Sequence, residues 1–177
     1  VLVSGATGGV GSVAVNLLSN LNFEVHAITG KLNEELILKK MGASKVIDRN
    51  EFMAEPIKAL DKAIYSAGVD TVGGDILSKM LSMIESHGSV ACCGNVAGMK
   101  FTSSVFPFIL RGISLIGVDS AESDINFKKE IWNLFSCNWS LDLDDYSKVI
   151  PLEDIGDEIT KILDGKQIGR VVIKHGD

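Results

Sequence analysis

The sequence predicts an α/β fold built on a doubly wound parallel sheet, and three observations predict it. Gly5, Ala6, Thr7, Gly8, Gly9, Val10 and Gly11 form a glycine turn between the apolar run Val1–Val3 and the helical pattern Val10, Val13, Ala14, Leu17, Leu18, Leu21. Strand and helix patterns then alternate along the chain, as they do when crossover helices join parallel strands. A later strand, Ser89–Cys93, is continuously small or apolar, which is how a strand covered on both faces reads. The strand–turn–helix order makes the sheet Rossmann-type.

Each element can be justified in turn. The first helix ends near Asn20 to Asn22, and Glu24–Thr29 follows as a second strand with Val25, Ala27 and Ile28 apolar. Residues 32–41 read as a helix that Gly42 stops. Lys45–Ile47 is a short third strand and Ala63–Ala67 a fourth. From Thr71 to Ile84 the residues Ile76, Leu77, Met80, Leu81 and Ile84 recur at helical spacing. Ser89–Cys93 is the fifth strand, Ile113–Val118 the sixth, and a helix runs from Ser123 to Phe135. Asn138–Ser147 is a polar connection, and its acids Asp142, Asp144 and Asp145 lack the spacing of a calcium loop. Helix 153–163 carries Ile155, Ile159, Ile162 and Leu163 on one face. Gly165 stops it, and Gly169–Lys174 is a β-branched strand.

A helix start presents unpaired N–H groups and the positive end of its dipole, so a pyrophosphate can sit there without a dedicated cation. Gly8 is placed beside that anion and Gly11 allows close packing of helix on strand, while Ala6 occupies the first glycine position of the GxGxxG register. The second strand ends on Thr29, Gly30 and Lys31 without the acid that would hold a ribose 2′-hydroxyl. A hydroxyl and an ammonium there suit a 2′-phosphate, which favours NADPH over NADH. An exposed loop lysine is the plainer account of Lys31. Glu34 and Glu35 fall in the first turn of the next helix, where acids suit the dipole.

Composition bounds the remaining classes. The 177 residues suit one domain, and 46% hydrophobic with 23% charged residues is globular composition. A net charge of −6 argues against nucleic-acid binding. No apolar run reaches the roughly 18 residues of a membrane span, and no signal peptide is evident, so a cytoplasmic location is expected. The chain opens inside a strand without an initiator methionine, which predicts a piece of a longer protein. Cys92, Cys93 and Cys137 have neither even number nor CxxC spacing, so no disulfide framework or metal site is expected, and buried structural thiols are. Four residues after Tyr65 stands Val69 and after Tyr146 stands Ile150, so no Tyr–Lys pair occurs. His26, His87 and His175 are scattered and no GxSxG elbow is present. No catalytic residue can be named.

The segments GATGGVGSVAV, ITGK, MGASKVIDR, SAGVDTVGG and FPFILRGISLIGVDS, in that order, resemble the medium-chain dehydrogenase/reductase superfamily. Within it they are most similar to the acrylyl-CoA reductase subgroup of the zinc-independent quinone oxidoreductases. The resemblance implies an NADP-binding Rossmann domain over residues 1–150. It also implies a C-terminal helix and strand over 151–177 that return to an N-terminal GroES-like catalytic domain, itself absent from this sequence. That arrangement would leave the chain inactive alone and Gly169–Lys174 without its usual strand partners. By the same resemblance Thr7, Gly8, Gly9 and Val10 hold the pyrophosphate, and Thr29, Gly30, Lys31 and Arg49 hold the adenosine 2′-phosphate. Asn95, Ile109 and Ser120 contact the nicotinamide end. The plainer accounts of Arg49, Asn95, Ile109 and Ser120 are a surface arginine paired with Asp48 or Glu51, a turn asparagine, a core isoleucine and a helix cap.

The implied activity is hydride transfer from NADPH to the β-carbon of an activated alkene, an enoyl-CoA or quinone-like small molecule, with protonation at the α-carbon. A homodimer pairing Ile113–Val118 across a two-fold axis is also implied. A non-catalytic NADPH-binding module and a dimerisation unit remain the alternatives.

Overall fold

The computed structural model describes residues 1–142 and 144–176; the side chain of Asp145, one of the acids expected in the polar connection, lies outside that description. In chain order the elements are β1 (Leu2–Val3), α1 (Gly11–Asn20), β2 (Val25–Thr29), α2 (Glu35–Lys40), β3 (Ala43–Asp48), α3 (Arg49–Met53), β4 (Tyr65–Asp70) and α4 (Gly74–Ser82). They continue with β5 (Ile84–Cys92), α5 (Phe106–Arg111), β6 (Ser114–Gly117), α6 (Ile125–Cys137), β7 (Ser147–Pro151), α7 (Ile155–Leu163) and β8 (Arg170–Lys174). The first six strands form one parallel sheet in the order β3-β2-β1-β4-β5-β6. This is the expected doubly wound sheet, and its strand order reverses between β1 and β4.

Alternation along the central strands explains why the sheet is covered twice. Successive strand side chains point to opposite faces. Leu2 joins a core with Ile28, Phe52, Leu77, Met80, Ile84 and Ile113, whereas its neighbour Val3 joins a second with Val15, Val25, Leu38, Met41 and Tyr146. Helices α3 and α4 supply one face, α1 and α2 the other.

Several boundaries moved for physical reasons. The fourth strand begins at Tyr65 and runs to Asp70, because Gly68 and Val69 pair with Leu2 and Val3, while Ile64 bonds instead to the end of α4. The fifth begins at Ile84, with a register skip between Tyr65–Ile84 and Ala67–Ser89 at which His87 adopts φ +64°. Short α3 carried no periodic signal, but Asp48 starts it by accepting from the amides of Asn50 (2.7 Å) and Glu51 (3.0 Å).

The C-terminal expectation needs correction. Gly169–Lys174 does not lack a partner: β8 pairs in parallel with β7, and α7 is the crossover between them. The missed strand β7 spans residues 147–151. Lys148 and Lys161 both donate to the buried carboxylate of Glu158, at 2.6 and 2.7 Å, which fastens α7 to β7. Ile159 and Ile162 of α7 are half exposed, so its apolar face is only partly covered. The cysteines also differ from expectation. Cys93 and Cys137 are exposed, and Cys92, the last residue of β5, is half-buried and packs against the Leu2 core. Among the described residues no helix is long and apolar enough to cross a membrane.

Candidate functional site

Because the six strands are parallel, the segments that leave them all emerge on one edge. The glycine turn follows β1, Thr29–Lys31 ends β2, Arg49 follows β3, Asn95 follows β5 and Ser120 follows β6. Arg49 is the first residue of α3 and Ile109 lies on α5; Ile109 is 68% exposed, which removes the core-isoleucine account.

The turn is built for close approach. Gly5 has φ +59°, and a Cβ there would strike Oγ1 of Thr71, so the tight-turn role falls on Gly5 although the motif register has Ala6, which is fully buried. A Cβ on Gly11 would strike the carbonyl of Gly5, which brings the start of α1 directly against the strand end. Ser12 donates to the Gly8 carbonyl at 2.9 Å, and no side chain caps the helix at Val10. The positive end of the α1 dipole thus lies beside Gly9 and Val10 with no side-chain acceptor capping it.

Two threonines join neighbouring strand ends, with Oγ1 of Thr7 and Thr29 3.1 Å apart, and Thr29 Oγ1 also accepts from the amide of Lys31 at 3.0 Å. Arg49 lies across Gly30, whose missing Cβ would sit 3.1 Å from the guanidinium carbon. Asp48 is committed to capping α3, and among the described residues Arg49 forms no ion pair with Asp48 or Glu51. The Lys31 ammonium donates to the backbone carbonyl of Gln167. Burial holds its pKa below the ordinary lysine range, with Glu34 opposing.

At the other end, Asn95 shares a cavity of 510 Å³ with Cys92, Cys93, Gly94 and Gly117–Asp119, directly before Ser120. Burial, reinforced by the Asp70 carboxylate, pushes both thiols up. A second cavity, of 360 Å³, lies between Arg49, Asn50 and Met53 of α3, Gly74–Ile76 of α4, and Ala97 and Lys100.

Beneath the turn Asp70 is fully buried, accepting from Ser4 Oγ (2.7 Å) and the Gly73 amide (2.9 Å). Thr71 donates twice to Ser4, its amide to Oγ at 3.0 Å and its Oγ1 to the carbonyl at 2.8 Å. The ends of β1 and β4 are therefore locked together at the switch point.

Sequence reasoning missed Arg170. A Cβ on Gly9 would lie 2.5 Å from its Nε, which sets the guanidinium against the phosphate turn, and the Gly169 amide donates to the Thr7 carbonyl at 3.0 Å. The signal was the Gly169–Arg170 pair itself, but only the β7–β8 pairing brings it to this edge. On a chain of net charge −6, Arg170 thus stands at the turn before an uncapped helix start, and Lys31 and Arg49 stand at the neighbouring end of β2. Such an edge fits a dinucleotide phosphate, because donors and cations are present where glycines leave room for it.

A sequence model described as zinc-binding dehydrogenase matches residues 9–136. "Putative quinone oxidoreductase YhfP" of Bacillus subtilis is 39% identical over 176 residues, 98% of this chain and 53% of that protein. Acrylyl-CoA reductase AcuI of Ruegeria pomeroyi is 34% identical over 98% of this chain and 53% of its own. Among solved structures, the Salmonella enterica YhdH oxidoreductase in complex with NADP superimposes with a TM-score of 0.92 at 34% identity, over 99% of this chain and 54% of that one. YhfP with NAD bound superimposes at 0.93 and 38% identity, over 98% and 54%. The chain spans about half the length of the curated relatives it matches.

Proposed function

The chain belongs to the zinc-binding dehydrogenase family of medium-chain oxidoreductases, and from that premise we propose that it is the nucleotide-holding part of an NADPH-dependent reductase of activated C=C bonds. The observation that carries the reading is the placement of Arg170 against Gly9 of the glycine turn and of Arg49 against Gly30 at the end of β2, next to Lys31. When bound, NADPH supplies a hydride to the β-carbon of an enoyl-CoA or quinone-like acceptor. The chain's own residues bind and orient. The α1 start and Arg170 hold the pyrophosphate, Thr29–Lys31 and Arg49 the 2′-phosphate, and Asn95, Ile109 and Ser120 border the nicotinamide end. Among the described residues no group of three or more His, Cys, Asp and Glu is placed to hold a metal, and the reading uses none. Its complex with NADP supports the choice of cofactor in the Salmonella relative.

Fluorescence titration with NADPH and NADH tests this. Both are expected to bind, NADPH more tightly; absence of binding by either overturns the reading. Arg170→Ala removes a charged donor from the pyrophosphate shared by both cofactors, so it is expected to weaken both by the same factor, about tenfold. Selective loss of one would move Arg170 to the 2′-phosphate.

We also propose a homodimer through β6. It is one of the two edge strands, paired among the described residues only with β5, and Ile116 on it is half exposed, an edge that a second copy would satisfy. Sedimentation at the monomer mass at micromolar concentration overturns it.

A further inference from the structure

Gln167–Gly169 join α7 to β8 and Arg170 opens β8, outside every stretch of the sequence expected to bind nucleotide, yet this segment touches that site three times. The Gln167 carbonyl accepts from the Lys31 ammonium, the Gly169 amide donates to the Thr7 carbonyl at 3.0 Å, and the Arg170 guanidinium stands over Gly9. Its path is fixed from behind: Gly169 has φ +58°, and a Cβ there would strike the carbonyl of Tyr146, itself buried in the core. The segment is also short of partners. The side-chain oxygen Oε1 of Gln167 is buried without one.

We propose that Gln167–Arg170 is a specificity-determining segment, with Lys31 as its link to the cofactor: a 2′-phosphate and the Gln167 carbonyl share one ammonium. An ammonium has three donors, so one can remain on the carbonyl while another takes a phosphate oxygen. The half-buried cation is poorly compensated by a neutral carbonyl and well compensated by an anion. A 2′-phosphate therefore holds Lys31 charged and in place, and Lys31 in turn holds the segment. NADH, which lacks that phosphate, makes no such demand. Coupling is reciprocal, so a docked segment raises affinity for NADPH relative to NADH.

The inference rests on the nucleotide reading above, and amide hydrogen exchange on the full 177-residue chain separates the two. The reporters are the amides of residues 166–174, Gly169 first, at saturating NADPH and at saturating NADH. NADPH is expected to slow exchange there by about fivefold or more and NADH by less than about twofold. In Lys31→Met that difference should vanish and the NADPH-to-NADH affinity ratio fall by about tenfold; Lys31→Arg should preserve both. Equal protection by the two nucleotides, or a difference that survives in Lys31→Met, overturns the inference while leaving the nucleotide reading intact. Failure of either nucleotide to bind overturns both.

Discussion

Arg111→Ala is expected to lower stability by roughly 3 to 5 kcal/mol, read as a shift of the urea midpoint without change of slope. The guanidinium donates Nη1 to the carbonyls of Ser82 (2.7 Å) and Ile84 (3.1 Å) and Nη2 to that of Asp61. Those carbonyls belong to the end of α4, the start of β5 and the chain entering β4, so one side chain closes the end of a buried helix. Carbonyls at a helix end have no intrahelical partner, and a charged donor contributes more than a neutral one. The alanine variant takes a charged donor from all three acceptors, of which the Ser82 carbonyl keeps the Asp61 amide at 3.0 Å. Arg111→Lys, with one compact ammonium in place of a planar fork, should recover only part of the loss. A variant as stable as the parent would show that water serves these carbonyls equally well.

Arg111 also shows how legible the molecule was in sequence. The FPFILRG segment stood out through its resemblance to a family, but nothing in its spacing disclosed an arginine turned back onto carbonyls some 30 to 50 positions earlier in the chain. The order of long elements was readable because hydrophobic period reports burial directly. The residues at strand ends were readable because parallel strands send their exits to a common edge. Short elements were not. α3 rests on a single cap at Asp48 and β7 on pairing with β8, and neither leaves a periodic trace. Arg170 escaped for the same reason, since its place beside Gly9 is set by a pairing partner 23 residues upstream, Ser147. Lys31 was picked out by type, but its attachment to Gln167 is purely tertiary.

Asp70→Ala is expected to cost a similar 3 to 5 kcal/mol and, beyond that, to loosen the glycine turn. The carboxylate is fully buried, with Oδ1 accepting from Ser4 Oγ and the Val72 amide (3.4 Å) and Oδ2 from the Gly73 amide and the Cys92 thiol (3.6 Å). All four partners are donors, so neither oxygen can be replaced by an amide nitrogen without setting donor against donor. Asp70→Asn, nearly the same in shape, should therefore lose about 2 kcal/mol, where a purely steric role would lose almost nothing. The functional consequence follows from where the donors lie. Ser4 precedes Gly5 and bonds Thr71, the residue against which the missing Cβ of Gly5 is packed. Releasing Ser4 frees the first residue of the phosphate turn, and hydrogen exchange across residues 4–11 should rise in Asp70→Asn under conditions where the chain remains folded. Unchanged exchange there, with stability lost only globally, would make Asp70 a core residue with no part in shaping the turn.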